Sequence, residues 1–378
     1  MNGDKSQFTD QLVWKNAVED QKILNAGEYN IARTGTYTGE SELGYKVVNS
    51  ENLKYTISRK DLTVSLANQT KVYDGNTSAV LEAKDFNISG FVTVNGKTEG
   101  ASLTQTVGTY NDKDVLDAKT VTAVLTDKLT ADEGTLLSNY SIQNNVVGNA
   151  SITKRALTAS IIDTPTKVYD GKTDATLTNA NFSIANLVDG ESFTVSKSIG
   201  TYNDKDVLDA SSVTTALTTG DFTQVGSTLA SNYTMPVTAT GEGSITARTL
   251  TASIIDTPTK VYDGNTDATL TNGNFSIANL VDGESFTVSK ATGTYDDKDV
   301  ADVSSVTTSL LANDFAVVGS TLASNYTMPV TATGSGSITA RTLTASIINT
   351  PTKVYDGSTN AALTSSNYSI ANLVGDES

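Results

Sequence analysis

The sequence of 378 residues contains no cysteine and no histidine. Those two absences exclude disulfide frameworks, thiolate nucleophiles, Cys/His zinc sites and every Ser/His/Asp or Cys/His catalytic triad. Positive charge is scarce as well: 26 Lys and Arg stand against 42 Asp and Glu, a formal net charge of −16 at pH 7. Phosphate backbones are held chiefly by cationic side chains, so no nucleic-acid partner is expected. No apolar run approaches the ~20 residues that a membrane helix needs, and the segment Met1 to Lys5 lacks the apolar core of a secretory signal, so no bilayer insertion is expected either.

What is present is small, polar and β-forming. The chain is 38% hydrophobic but only 18% charged, with 28 Gly, 15 Tyr and an excess of Thr, Ser, Asn and Val, the balance of a soluble β protein with many turns. It is also repetitive. The segment Lys-Val-Tyr-Asp-Gly begins at Lys71, Lys167, Lys260 and Lys353, which places its tyrosines 96, 93 and 93 residues apart. A second segment, Gly-Thr-Tyr-(Asn/Asp)-Asp-Lys-Asp-Val, begins at Gly108, Gly200 and Gly293, and a third, Ser-Asn-Tyr, begins at Ser138, Ser231 and Ser324. The order is fixed, and each cycle closes on Ser-Ile-Thr, a basic residue and Leu-Thr-Ala-Ser.

These landmarks divide the chain into repeats at 62–156, 157–249 and 250–342, a truncated fourth at 343–378, and a partial or shorter related β module at 1–61. The second and third repeats are nearly identical, so the first is the informative one. It has diverged through its middle yet keeps Lys71 to Gly75, Gly108 to Val115 and Ser138 to Tyr140. In the N-terminal piece Gly35-Thr36-Tyr37 and Tyr55-Thr56-Ile57 echo the later motifs, and Val13, Ala17 and Leu24 behind Thr9 or Asp10 have the spacing of one short helix.

Within one repeat, Leu157, Ala159 and Ile161 alternate with Thr158 and Ser160, the period of a strand with one face on a core. Asp170-Gly171 between Lys167-Val168-Tyr169 and Thr173 to Leu177 reads as a tight hairpin, because Asp-Gly accepts positive φ. About seven strands fit. Pro236 requires that its run be an edge strand or start at a bulge. Tyr169, Tyr202 and Tyr233 are expected to bury their rings while the hydroxyls reach loop carbonyls. The fold class expected is all-β: a tandem array of ~93-residue β-sandwich or β-grasp-like modules forming an elongated rod.

Four chemistries can be weighed. Asp112, Asp114 and Asp117, repeated as Asp204, Asp206, Asp209 and as Asp297, Asp299, Asp302, are weak calcium candidates, since a hard cation takes several oxygens from one loop. Against them, the Gly and distal Glu of a helix-loop-helix calcium loop are missing, and Lys113, Lys205 and Lys298 sit inside the cluster, which favours a solvated turn with local Lys–Asp pairs. No acidic pair marks a glycosidase, every acidic cluster recurs in each repeat whereas an active site occurs once, and the chain is not read as an enzyme. No cofactor is expected. A Lys and an Asn near Tyr in each repeat raise an isopeptide cross-link, and Asn139-Tyr140-Ser141, Asn232-Tyr233-Thr234 and Asn325-Tyr326-Thr327 match the N-glycosylation triplet, which chance supplies readily in so Asn/Ser/Thr-rich a chain.

The succession Lys-Val-Tyr-Asp-Gly, Gly-Thr-Tyr-x-Asp-Lys-x-Val, Ser-Asn-Tyr-Thr, then Ile-Thr and a basic residue resembles the YDG repeat of large secreted, filamentous-haemagglutinin-like bacterial surface adhesins. The resemblance covers about residues 62–378. Its structural motif residues are Tyr73, Asp74, Gly75, Tyr169, Asp170, Gly171, Tyr262, Asp263, Gly264, Tyr355, Asp356 and Gly357. One departure is Asp-Val-Leu-Asp or Asp-Val-Ala-Asp after the Gly-Thr-Tyr segment, where the family more often reads Asn-Val-Gly. The resemblance implies an extracellular, cell-surface location and no catalytic residues. The expectation that follows is a stalk or spacer, monomeric, whose partners are other modules of the same chain. The rival is a repeated module that binds host or matrix glycan or protein and shows an exposed aromatic patch on each unit.

Overall fold

The computed structural model describes residues 12–15, 24–33 and 53–378. It is all-β: short strands joined by turns and three-residue 3-10 turns, and among the described residues no helix is long and apolar enough to cross a membrane. The chain forms two compact units, one of residues 1–157, 186–192 and 224–235, the other of residues 158–185, 193–223 and 236–378. The second repeat is thus divided, lending its 186–192 and 224–235 segments to the unit that holds the first repeat.

In the first unit, Gln69–Val72, Asn145–Thr153, Thr120–Val124, Val107–Tyr110 and Ser78–Val80 form a five-stranded sheet in that order, parallel at its first pair and antiparallel elsewhere. Tyr140–Ile142, Lys60–Leu66 and Phe86–Ser89 make a three-stranded sheet, so that the layers are sandwich-like. Leu62, Val64, Leu66, Ala79, Leu81, Val121, Ala123 and Val146 are buried between them. The period of two in Lys60–Leu66 is explicit, with Leu62, Val64 and Leu66 buried and Thr63 and Ser65 exposed. Burying a side chain of this kind contributes about 1.5–3 kcal/mol, which a cysteine-free domain needs.

The second unit holds the third repeat entire. Asp267–Thr269, Thr292–Tyr295, Ser305–Ser309, Thr331–Ser335, Thr251–Ile254 and Phe275–Ala278 form a six-stranded sheet in that order. The order mixes antiparallel neighbours with one parallel pair, Thr251–Ile254 beside Thr331–Ser335. The second repeat's strands in this unit follow the same order, from Asp174–Thr176 to Phe182–Ala185. There Gly241 lies where the strand bends from Thr158–Ile161 toward Thr166–Val168: a Cβ at this position would stand 1.9 Å from the Ile161 carbonyl oxygen. Only glycine permits that approach.

Three expectations change. The Asp-Gly turn is not a hairpin: Gly171 does have φ +76, but Thr166–Val168 pairs in parallel with Ser244–Thr246 while Asp174–Thr176 pairs with Ile199–Tyr202. The turn throws the chain from one ladder to another, since the residues before it and after it pair with different strands. The strands are also shorter and more numerous than seven, with twelve from Arg248–Thr249 to Ser337–Thr339, and Pro236 and Pro329 fall in the breaks between them. Finally, Val13 lies in the strand Leu12–Lys15, which pairs with Gly27–Arg33, rather than in a helix, and Leu24 lies outside both strands. Ala17, Thr9, Asp10 and Gly35 to Tyr37 are outside the described residues, whereas Tyr55 to Ile57 do form a strand.

Candidate functional site at the joint between repeats

The motif residues converge on one place, where one repeat meets the next. In the first unit Tyr73 is fully buried, its ring edge-on to Tyr233 with centroids 5.3 Å apart. The Tyr73 hydroxyl donates to Glu191 Oε1 at 2.5 Å, and the Tyr233 hydroxyl donates to Glu191 Oε2 at 2.7 Å while accepting from the Val188 N–H at 3.1 Å. One carboxylate therefore ties a tyrosine of the first repeat to a tyrosine of the second. Burial and then the hydrogen bond to Glu191 push the Tyr233 phenol up to about 12, and push Tyr73 up further. Both hydroxyls stay protonated and remain donors.

Beside this pair lies Asn232, also fully buried. Its Oδ1 accepts from the Val115 N–H at 2.9 Å and its Nδ2 donates to Asp114 Oδ1 at 2.8 Å. The side-chain amide thus makes the two-point contact that a strand neighbour makes. Burial raises the Asp114 carboxyl, but the hydrogen bonds from Asn232 and Lys113 outweigh it and hold it below the usual carboxylate range.

The second unit repeats the joint between the second and third repeats. Tyr169 meets Tyr326 edge-on at 5.4 Å, both hydroxyls donate to Glu284 at 2.5 and 2.7 Å, and Asn325 bridges the Val207 N–H and Asp206 at 2.9 and 2.8 Å. Phe286 and Tyr326 of the third repeat belong to the same buried cluster as Tyr169, Val213 and Leu250, so the apolar core runs through the joint. The glycine of the motif takes part too: a Cβ on Gly75 would stand 2.6 Å from Val188, and one on Gly171 2.9 Å from Val281. A third version joins the N-terminal piece to the first repeat, where Asn139 donates to Asn25 Oδ1 and accepts from the Ala26 N–H at 3.0 and 2.8 Å. Asn25-Ala26 there does what Asp114-Val115 and Asp206-Val207 do.

Other motif residues build and aim these parts. Lys71 pairs with Asp74 at 2.7 Å, donates to the Asn76 and Ser78 carbonyls, and lies 5.1 Å from the centroid of Tyr110. Lys167 and Lys260 repeat the pairing with Asp170 and Asp263 and the position over Tyr202 and Tyr295. In the aspartate loop, Asn203 Oδ1 accepts from the Ser211 and Ser212 N–H groups and Asp204 Oδ1 accepts from the Asp206 N–H, which fixes the direction of Asp206.

The calcium candidates separate accordingly. Carboxylate oxygens of Asp204, Asp206 and Asp209 lie within 4.8 Å of one another, as do those of Asp297, Asp299 and Asp302. Asp206 is however engaged by Lys205 at 2.7 Å and by Asn325, so a cation there competes with the joint. Lys205 and Asn325 do donate to the same Asp206 oxygen, which sets both side chains of the expected cross-link beside one carboxylate. The hydrogen bond to Asp206 raises the Lys205 ammonium above its usual range, which keeps the amine protonated and non-nucleophilic. The glycosylation triplets at Asn232 and Asn325 carry amides that are wholly buried in the folded chain.

Tyr202 fulfils the expectation of a hydroxyl on a loop carbonyl, donating to Pro165 at 2.9 Å. Tyr169 and Tyr233 bury their rings but donate to a carboxylate instead. Glu191, Glu284 and Val188 are not among the residues expected from the sequence, although Val-Asp-Gly-Glu-Ser recurs at 188–192 and 281–285. The first repeat hides that signal: between Val92 and Glu99 it carries an extra hairpin, Thr93–Val94 with Lys97–Thr98, and still brings Glu99 onto the Tyr140 hydroxyl. Tyr355, Asp356 and Gly357 end no joint among the described residues, and Tyr355 is 93% exposed.

Comparison with curated proteins finds no match. A family model does match, three times over, at residues 58–147, 153–241 and 246–334. These spans make up most of the chain and take in both complete joints, and the chain belongs to the YDG domain family.

Proposed function

We propose that this chain is a spacer region of a bacterial cell-surface adhesin of the filamentous-haemagglutinin-like kind, outside the cell, whose repeats hold a binding region at a distance. The observation that carries the reading is the reuse of one joint: Tyr73 and Tyr169 are each fully buried against the following repeat, with the same glutamate and asparagine contacts. A spacer needs its units set at fixed angles, and a buried aromatic pair with a bridging carboxylate supplies that. The net charge of −16 keeps such a chain soluble and weakly adhesive. The rival, a glycan- or matrix-binding module, calls for an exposed aromatic patch on every unit, whereas the recurring tyrosines of the complete joints are buried. Solution scattering on chains of one, two and three repeats tests the reading. The maximum dimension is expected to grow by a constant increment per repeat, and a particle that stays compact contradicts it. Saturable binding of one repeat to a glycan array favours the rival.

A further inference from the structure

The path of the chain through each repeat sets its first and last strands side by side, pointing the same way. In the third repeat Arg248-Thr249 runs parallel to Tyr326-Thr327, Ala252-Ser253 to Ala332-Thr333, and Thr259–Val261 to Ser337–Thr339. Backbone hydrogen bonds extend these ladders: the Leu250 N–H donates to the Thr327 carbonyl at 3.0 Å, the Ser337 N–H to the Pro258 carbonyl at 3.1 Å and the Tyr262 N–H to the Thr339 carbonyl at 2.9 Å. The second repeat has the same three pairings, and the first pairs Lys60 to Leu62 with Tyr140–Ile142 and Gln69–Val72 with Ala150 to Thr153, again in parallel.

We infer that each repeat is a clamp against tension, a unit that carries a pulling force from its entering strand to its leaving strand. Tension draws the entering strand toward its N-terminal end and the leaving strand toward its C-terminal end. In parallel neighbours those two directions slide one strand along the other. The evenly spaced ladder bonds are then loaded together, whereas a hairpin pulled at its open ends breaks them one at a time. Sliding meets two further obstacles. Ile254, Ala332 and Ile338 on these strands are buried, and a slip of one residue turns such a face outward. At Gly334 a Cβ would stand 1.9 Å from the Ile254 carbonyl oxygen, so the same slip brings Thr333, with its Cβ, to that place, and Gly241 beside Ile161 repeats the stop. Residues 263–325, between the two sides of the clamp, lie off the path of the load. In the equivalent stretch the first repeat diverges and carries its extra hairpin, yet its Tyr73 N–H donates to the Thr153 carbonyl at 2.9 Å, as Tyr169 does to Thr246. This inference does not rest on the spacer reading, because the pairing within a repeat is the same whether the array is extended or compact.

Single-molecule pulling on the full chain tests it. The sequence has no cysteine, so thiol handles attach only where one is introduced. One variant carries Thr251→Cys with Ala340→Cys, which loads the third repeat's clamp strands in shear. The other carries Val261→Cys with Ala340→Cys, which peels the Thr259–Val261 ladder from one end. All three positions are exposed. Either pair releases on the order of 300 Å of extended chain when the repeat opens, which identifies the event. Each force is set against that variant's own unfolding rate without load, so that a handle that weakens the fold is not read as an effect of direction. At one loading rate the shear pair is expected to need severalfold more force than the peel pair. Equal forces, or a stronger peel pair, overturn the inference.

Discussion

At the scale of single residues, Asn325 is the most consequential side chain in the joint. It is wholly buried and pairs both its amide groups across a repeat boundary. Asn325→Ala strands the Val207 N–H and the Asp206 carboxylate and is expected to cost about 1–3 kcal/mol in a denaturant melt. Asn325→Asp is expected to cost more near neutral pH, because it sets a second carboxylate against Asp206, and the gap between the two variants should narrow in acid. The tyrosines give an alkaline signature. Burial first and then Glu191 or Glu284 raise Tyr233 and Tyr326 to about 12, above the ordinary phenol value near 10. The folded state binds those protons more tightly, so the contribution is intact below pH ~10 and is lost as pH rises toward 12. Asp206 has the opposite sign: held below its ordinary range, it contributes above pH ~4 and loses that contribution as pH falls through its folded value. Unfolding midpoints measured from pH 3 to 12 should be flat in the middle and fall at both ends. A profile still flat from pH 10 to 12 contradicts the buried tyrosine–glutamate pairs.

At the scale of elements, the sequence carried the strands and concealed their connections. Alternation in Leu62 to Leu66 and in Leu157 to Ile161 is visible because one face is buried and the other is solvated. The positive φ of Gly171 is visible because Asp-Gly accepts it at little cost. The destination of the chain after Gly171 is not visible, since it depends on pairing with strands distant in the sequence. The joint was hidden for a related reason: Tyr73, Glu191 and Tyr233 lie 118 and 42 residues apart, and no local pattern joins them. The aspartates looked like metal ligands because turn-capping carboxylates and metal-binding carboxylates share the same short spacing.

Two expectations belong at this scale. Gly171→Ala should cost about 1 kcal/mol for its positive φ and more for the approach to Val281, and the added loss should appear as faster exchange around 281–284 in the next repeat. Damage confined to the second repeat is the result that contradicts the shared joint. Within residues 343–378 only the strands Thr344–Ile347 and Tyr368–Ala371 pair, and the intervening motif is exposed. Amides of 349–364 should therefore exchange far faster than those of 256–271, and equal protection would show that the segment folds alone.

Across the whole molecule, repeats that share cores and side-chain contacts should couple to their neighbours, with each joint adding a nearest-neighbour contribution to the stability of the repeats it joins. The covalent state follows from the charge state at the joint. Lys113 and Lys205 are held as ammonium ions by their hydrogen bonds to Asp114 and Asp206, so no amide with Asn232 or Asn325 is expected, and the intact mass should equal that of the sequence. A deficit of one ammonia, about 17 Da, per joint would show the cross-link instead.

The most direct measurement compares three equivalent backbone amides within one chain. Val115 and Val207 each donate to an asparagine of the following repeat, at 2.9 Å in both cases, whereas Val300 occupies the same place in a joint with no asparagine among the described residues. Residue-resolved hydrogen exchange on the intact chain should find Val115 and Val207 protected, Val300 fast, and Val207 made fast by Asn325→Ala. Equal rates at the three valines, or protection of Val207 that survives the loss of Asn325, would contradict the joint as the structure that the repeated motifs exist to make.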